Sequence, residues 1–245
     1  MKQLQFMLIL SVLMVSIVSC STTGAPESNN TVPAKRYNIV IILDGTDRLV
    51  EENCVPMLQA EDIMSTADKM TTNGIGTIYV SWVDDNSDNN QAAVMEYELT
   101  TPNPIPQRPN YVPVSKYNAQ IEQYKSDSVI WANEKRRIYD TFRADCNRVI
   151  TSAYSEKVAK TGKGSDINGS LNQALRLLSP NVKESDVNII LLISDGVDNG
   201  GKELAEKPEN IEIILLNGNV VKHSYGDFID NEFVTLNQAI NHIFK

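Results

Sequence analysis

The chain has 245 residues, 42% hydrophobic and 22% charged, enough for one large domain or two small ones with a real core. Twelve Gly and ten Pro exclude collagen-like and low-complexity classes, and the apolar fraction excludes wholesale disorder. Lys and Arg total 22 against 31 Asp and Glu; a net charge of −9 argues against a non-specific nucleic-acid binder, which needs a basic surface to release counterions. Three cysteines do not make a disulfide framework.

Residues 1–20 open with Lys2, continue as an apolar run from Leu4 to Val18 and end in Ser19-Cys20. An early positive charge, about 15 apolar residues and a small residue before the cut are the pattern of a secretory signal. The run falls short of the about 20 apolar residues that a membrane-spanning helix needs. Ile17-Val18-Ser19-Cys20 resembles the bacterial lipobox. That resemblance implies removal of residues 1–19 and acylation of Cys20, the palmitate-type anchor holding the mature chain to a membrane through several acyl chains. Ser21 follows, with no Asp beside the cysteine, which under the same resemblance favours the outer membrane. From there to about residue 36 the chain is rich in Ser, Thr, Gly, Pro and Asn without periodicity, and reads as a flexible tether. Cys54 and Cys146 remain in the mature chain, with their pairing open.

The folded part, 37–245, alternates strand and helix signals. Tyr37–Leu43 is a continuous apolar run ending at Asp44-Gly45, the pattern of a strand buried on both faces. Met57, Ile63, Met64, Ala67 and Met70 give helical spacing over 56–72. Gly76–Val83 and Ala92–Leu99 read as strands around an Asp/Asn/Ser turn at 84–91, close enough in sequence for an antiparallel hairpin. Five prolines in 102–113 form a stiff lead-in to 116–160, where Gly and Pro are absent. Tyr117, Ile121, Tyr124, Trp131, Ile138, Phe142, Val149 and Ala153 there follow a three-to-four spacing. One helix of that length would reach roughly 65 Å, so a break near Ser126–Ser128 or a projecting arm is expected, its aromatic stripe packing on the sheet or serving a partner. A helix follows over Gly169–Leu178, then buried strands at Val187–Ile193 and Ile211–Leu216, with a short helical stretch around Gly201–Glu206 between them. A closing amphipathic helix carries Phe228, Phe233, Leu236, Ile240 and Phe244. The expected fold is α/β: a doubly wound, mostly parallel sheet with one antiparallel edge strand, and a Pro-rich and helical insertion at about 100–160.

Open α/β sheets bind ligands beyond the carboxyl ends of their strands. Three loops belong there: Asp44-Gly45-Thr46-Asp47-Arg48, Thr161-Gly162-Lys163-Gly164-Ser165-Asp166 and Ser194-Asp195-Gly196-Val197-Asp198-Asn199. Their order, separation and context resemble the von Willebrand factor A-type domain over about residues 37–245. In that family a metal-ion-dependent adhesion site draws on an Asp-x-Ser-x-Ser loop, a Thr or Ser from a Gly-rich loop, and an Asp after a later strand. The resemblance implies Asp44, Thr46, Ser165 and Asp195 as ligands of Mg²⁺ or another divalent cation. A hard divalent cation takes about six oxygen ligands and keeps some water, which leaves a position for an acidic side chain of a partner protein. That chemistry is adhesion, not turnover. Arg48 departs from the pattern: its guanidinium stands where the second family serine would be, has no acceptor, and repels a cation.

The implied function is a membrane-anchored binding module for an envelope or extracellular protein. The alternative is the same scaffold with a degenerate metal site, binding partners through its helical insertion. An enzyme reading rests on Leu43-Asp44-Gly45-Thr46, which also resembles the haloacid-dehalogenase phosphatases. Aligned on that motif, Ile42 takes the place of the nucleophilic Asp, and an isoleucine cannot attack a phosphoryl group. Asp84, Asn86, Asp88 and Asn90 alternate like the start of a calcium loop, yet Asn89 stands where Gly is required, and a plain turn is expected. His223 and His242 lie in no zinc-type spacing.

Overall fold

The apolar run at 37–43 is the middle of β1, Lys35–Asp44, whose residues from Tyr37 to Asp44 are all buried. The structure is a computed structural model that describes residues 35–45, 55–99, 105–108, 111–155, 165–179, 183, 185–217 and 225–245. Within these, β2 is Gly74–Val83, β3 Ala93–Tyr97, β4 Val187–Ile193, β5 Glu212–Leu216 and β6 Asn231–Phe233. The four helices are α1 (Ala60–Asn73), α2 (Val114–Ala153), α3 (Ile167–Leu178) and α4 (Leu236–Ile243).

One six-stranded sheet has the order β3-β2-β1-β4-β5-β6. All pairings are parallel except β2 with β3, so the antiparallel strand lies at the edge, as expected of the hairpin. Because strand side chains alternate between faces, the sheet has two cores. Ile39, Ile41 and Leu43 pack with Ile63 and Met70 of α1, Phe142 and Val149 of α2 and Ile243 of α4. On the other face Val40, Ile42, Ile190 and Leu192 pack with Ile167, Leu171 and Leu178 of α3. Helices on both faces of a mostly parallel sheet make the doubly wound α/β fold, and the strand order reverses between β1 and β4.

Local chemistry sets the helix ends. The Asp62 carboxylate accepts the Gln59 amide at 2.8 Å at the start of α1, and Gly74 closes that helix with its N–H on the Met70 carbonyl. Asp166 caps α3 by accepting the Gly169 amide at 3.0 Å, and Thr235 with Gln238 forms a reciprocal capping box on α4.

Of the two outcomes expected for 116–160, a break or a projecting arm, the break is not seen, and two further expectations need correction. α2 runs unbroken for 40 residues, about 60 Å, with no interruption at Ser126–Ser128. The absence of Gly and Pro leaves nothing to break it. Only its last part joins the core: Phe142, Cys146, Val149 and Ala153 are buried, and Ile138, Tyr139 and Ile150 pack against them. Tyr117, Ile121, Tyr124 and Trp131 belong to neither core, so the stripe packs on the sheet only from Ile138 onward. Second, Gly201–Glu206 is irregular chain, not helix. Side chains of α3 take its backbone groups instead: Asn168 Nδ2 donates to the Lys202 carbonyl, Asn172 Nδ2 to the Glu203 carbonyl, and Asn172 Oδ1 accepts the Ala205 amide. Third, Phe228 and Phe233 are not in the closing helix. Phe228 ends a 3-10 turn, Phe233 ends β6, and α4 begins only at Leu236.

Cys146 is a free thiol, wholly buried, and burial pushes its pKa up to about 12. Cys20 and Cys54 lie outside the described residues. Among the described residues no helix is long and apolar enough to cross a membrane.

Candidate functional site

Asp44 closes β1 on the face that carries Val40 and Ile42, the face covered by α3. Leu43 is in register with Ile193, so the residues that follow, Asp44 and Ser194, stand side by side where the strand order reverses. Ser194 Oγ donates to Asp44 Oδ2 at 2.6 Å and itself accepts the Gly196 amide at 2.9 Å. Asp44 is 6% exposed. Asp195 Oδ1 accepts the Val197 amide at 2.9 Å, which folds the β4 loop back on itself. Gly196, at φ +74°, supplies the left-handed backbone of that turn.

The second candidate loop is tied directly to the third. The Asn199 amide donates to the Ser165 carbonyl at 3.0 Å, and the Asn168 amide donates to Asp198 Oδ1 at 3.0 Å. Ser165 is buried at the mouth of α3. Of the four residues expected as ligands, Asp44, Ser165 and Asp195 therefore lie on loops gathered at one end of the sheet. Thr46 lies outside the described residues, as does Arg48.

Four carboxylates act electrostatically on the Tyr225 phenol. Burial is the largest cause of its raised pKa, and Asp198, Asp44, Asp166 and Asp195 add to it, since each disfavours a phenolate. The hydroxyl donates to Asn168 Oδ1 at 3.0 Å. The amides that open α3 are taken by carboxylates and carbonyls: Asn168 by Asp198, Gly169 by the Asp166 side chain, Ser170 by the Asp166 carbonyl. A helix N-terminus with its donors so engaged is not a phosphate cradle. The local field is negative, and the oxygen donor set suits a hard cation. Among the described residues no group of three or more His, Cys, Asp or Glu side chains is gathered for a metal. A site of two carboxylates and hydroxyls does not require one.

Sequence reasoning missed the charges beneath these loops. Lys202 Nζ lies 2.6 Å from Asp166 Oδ2 and 2.7 Å from Asp88 Oδ2, and Arg176 holds Asp88 Oδ1 at 2.9 Å. These cations, Lys202 first, hold the Asp88 carboxyl below the usual carboxylate range. Asp166 carried a readable sign, an acidic residue just before a helix; Lys202 and Tyr225 carried none. The turn at 84–91 is held by its own side chains, Asp84 Oδ1 accepting the Asn86 amide and Asn90 Nδ2 donating to the Trp82 carbonyl. Asp88 is held by two cations, and the segment is a turn. His242 contacts Glu212 at 2.7 Å and stacks near Phe233, while His223 lies outside the described residues. Comparison of the chain with family models, with curated proteins and with solved structures finds no match.

Proposed function

We propose that this chain is a lipid-anchored envelope protein whose domain, resembling the von Willebrand factor A type, captures a protein partner through a divalent cation at the strand-end face. The observation that carries this reading is the placement of Asp44 and the Ser194-Asp195 loop on adjacent strand ends, where the order reverses. The Ser165 loop is tied alongside. Asp44, Asp195 and Ser165, with Thr46, are the residues that would hold the ion. When bound, it would offer a Lewis-acidic position to an acidic side chain of the partner. The neighbouring carboxylates supply attraction for a cation, and the Asn168, Gly169 and Ser170 amides at the start of α3 are already engaged. No turnover is proposed: the position that a phosphatase would give to its nucleophile is Ile42, fully buried in the sheet.

A cation that binds only the native state stabilises it by RT ln(1 + [L]/Kd), about 2.7 kcal/mol at a hundredfold excess over Kd. For a domain of this size that is a rise of several degrees in Tm, at roughly 2–4 °C per kcal/mol. Millimolar Mg²⁺ or Mn²⁺ should therefore raise the Tm, Asp195→Ala should abolish the rise, and Arg48→Ser should enlarge it. A parent indifferent to cation beside a responsive Arg48→Ser would mean a decayed site. Indifference in both would mean structural loops.

In that event the helical insertion becomes the binding element. The observation favouring it is that Tyr117, Ile121, Tyr124 and Trp131 join neither core, while Tyr111, Val114, Val129 and Ile130 are exposed. Capture of a partner from envelope extract with and without EDTA separates the two readings. The anchor is tested independently: Cys20→Ala should shift the protein from the membrane to the soluble envelope fraction. A variant still floating with membranes, with no fatty-acid label on the parent, would refute it.

A further inference from the structure

Lys202 lies on the irregular segment after β4, and its ammonium reaches three side chains of two other loops. These are Asp166 Oδ2 at 2.6 Å, Asp88 Oδ2 at 2.7 Å and Asn86 Oδ1 at 3.3 Å. Three donors meet three acceptors. Asp166 is 1% exposed, and its carboxylate also accepts the Gly169 and Ser87 amides at 3.0 Å each. Arg176 satisfies the other oxygen of Asp88, so two cations balance two carboxylates. The backbone around Lys202 is held without its side chain, because Asn168 and Asn172 of α3 bind residues 202, 203 and 205. Charge and scaffold are therefore separable at this position.

We propose that Lys202 sets the charge of the strand-end site. By pairing with Asp166 it cancels the carboxylate adjoining Ser165, so that Asp44 and Asp195 face a divalent rather than a trivalent ion. This rests on the cation reading of that face. A fixed charge acts on a bound ion in proportion to the ion's own charge, so its removal is felt more by Tb³⁺ than by Mg²⁺.

The test is a Tb³⁺ titration of the full chain, read by luminescence sensitised through its aromatic side chains, with Mg²⁺ measured by competition. Lys202→Gln, one positive charge poorer, should bind Tb³⁺ roughly tenfold and Mg²⁺ about fivefold more tightly than the parent, the logarithms of the factors scaling with ion charge. Lys202→Arg should behave as the parent. Asp166→Asn keeps an oxygen for the helix cap and leaves Lys202 and Arg176 sharing the Asp88 carboxylate, one positive charge in excess, so it should shift both affinities in the opposite direction by similar factors. That second variant carries the test if Lys202→Gln does not fold. Asn172→Ala loosens the same segment at constant charge and should tighten neither ion. Folded Lys202→Gln with unchanged or weaker affinity for both ions, or Asp166→Asn with unchanged affinity, would make Lys202 a structural clasp and overturn the inference. A parent that binds neither ion would instead overturn the cation reading itself.

Discussion

Ile41→Ala is expected to destabilise the domain by about 2–5 kcal/mol, the cost of a large-to-small change at a site that cannot collapse. Ile41 lies in the middle of the central strand, opposite Val80 of β2 and Leu191 of β4, and is fully buried against α1, α2 and α4. Neighbouring strands hold its backbone on both sides, so the surroundings cannot move in to fill the cavity. Ile39, Ile190 and Leu192 are also fully buried, and their truncation should have a comparable effect. Ile39 and Ile41 face one helical layer and Ile190 and Leu192 the other, so losses across faces should add. Chemical denaturation reads this as a lower midpoint at unchanged slope. Two of the four variants with unmoved midpoints would rule out this central sheet.

Gly45→Ala should also be strongly destabilising, for a steric reason. A Cβ at Gly45 would stand 1.7 Å from the Ala153 carbonyl oxygen and 2.8 Å from its carbon. Both atoms are backbone at the end of α2, so no rotamer change relieves the clash; the helix end or the Asp44 loop has to shift. Overpacking of this kind costs typically about 1–3 kcal/mol. Tyr154 fastens the helix end, its hydroxyl accepting the Leu58 amide at 3.1 Å, which limits that shift. Gly201→Ala is the contrasting case: nothing lies within 4 Å of its Cβ, but φ is +72°, so only a backbone penalty of about 1–2 kcal/mol applies. Thermal or denaturant unfolding should rank Gly45→Ala below Gly201→Ala. A parent-like Gly45→Ala would mean that α2 does not end against β1 in solution.

The readable part of this protein was its periodicity. Apolar runs at 37–43 and 187–193, each interrupted by one asparagine (Asn38 and Asn188, which pair with each other), mark strands buried on both faces because a central strand of an α/β sheet is covered by helices on both sides. β4 has the expected bounds, and the hairpin of β2 and β3 follows from a turn composition between two strand-length runs. The acidic strand ends Asp44 and Asp195 were legible for the same reason: a carboxylate that closes an apolar run stands out.

Tertiary structure decided the rest. β6 is three residues long, too short for its alternation to show, and exists because β5 offers it an edge. Residues 201–206 are hydrogen-bonded by Asn168 and Asn172 across a sequence gap of about 30 residues, and those side chains win over local helical preference. In α2 the spacing marks one apolar face along the whole helix, but only the packed fold shows that the sheet ends at Ile138. Lys202, 36 residues from Asp166 and 114 from Asp88, is just one of fourteen lysines in the chain until folding brings three loops together. Periodicity is written locally, in 2- and 3.6-residue repeats; charge pairing between loops is not, because it depends on which strands become neighbours.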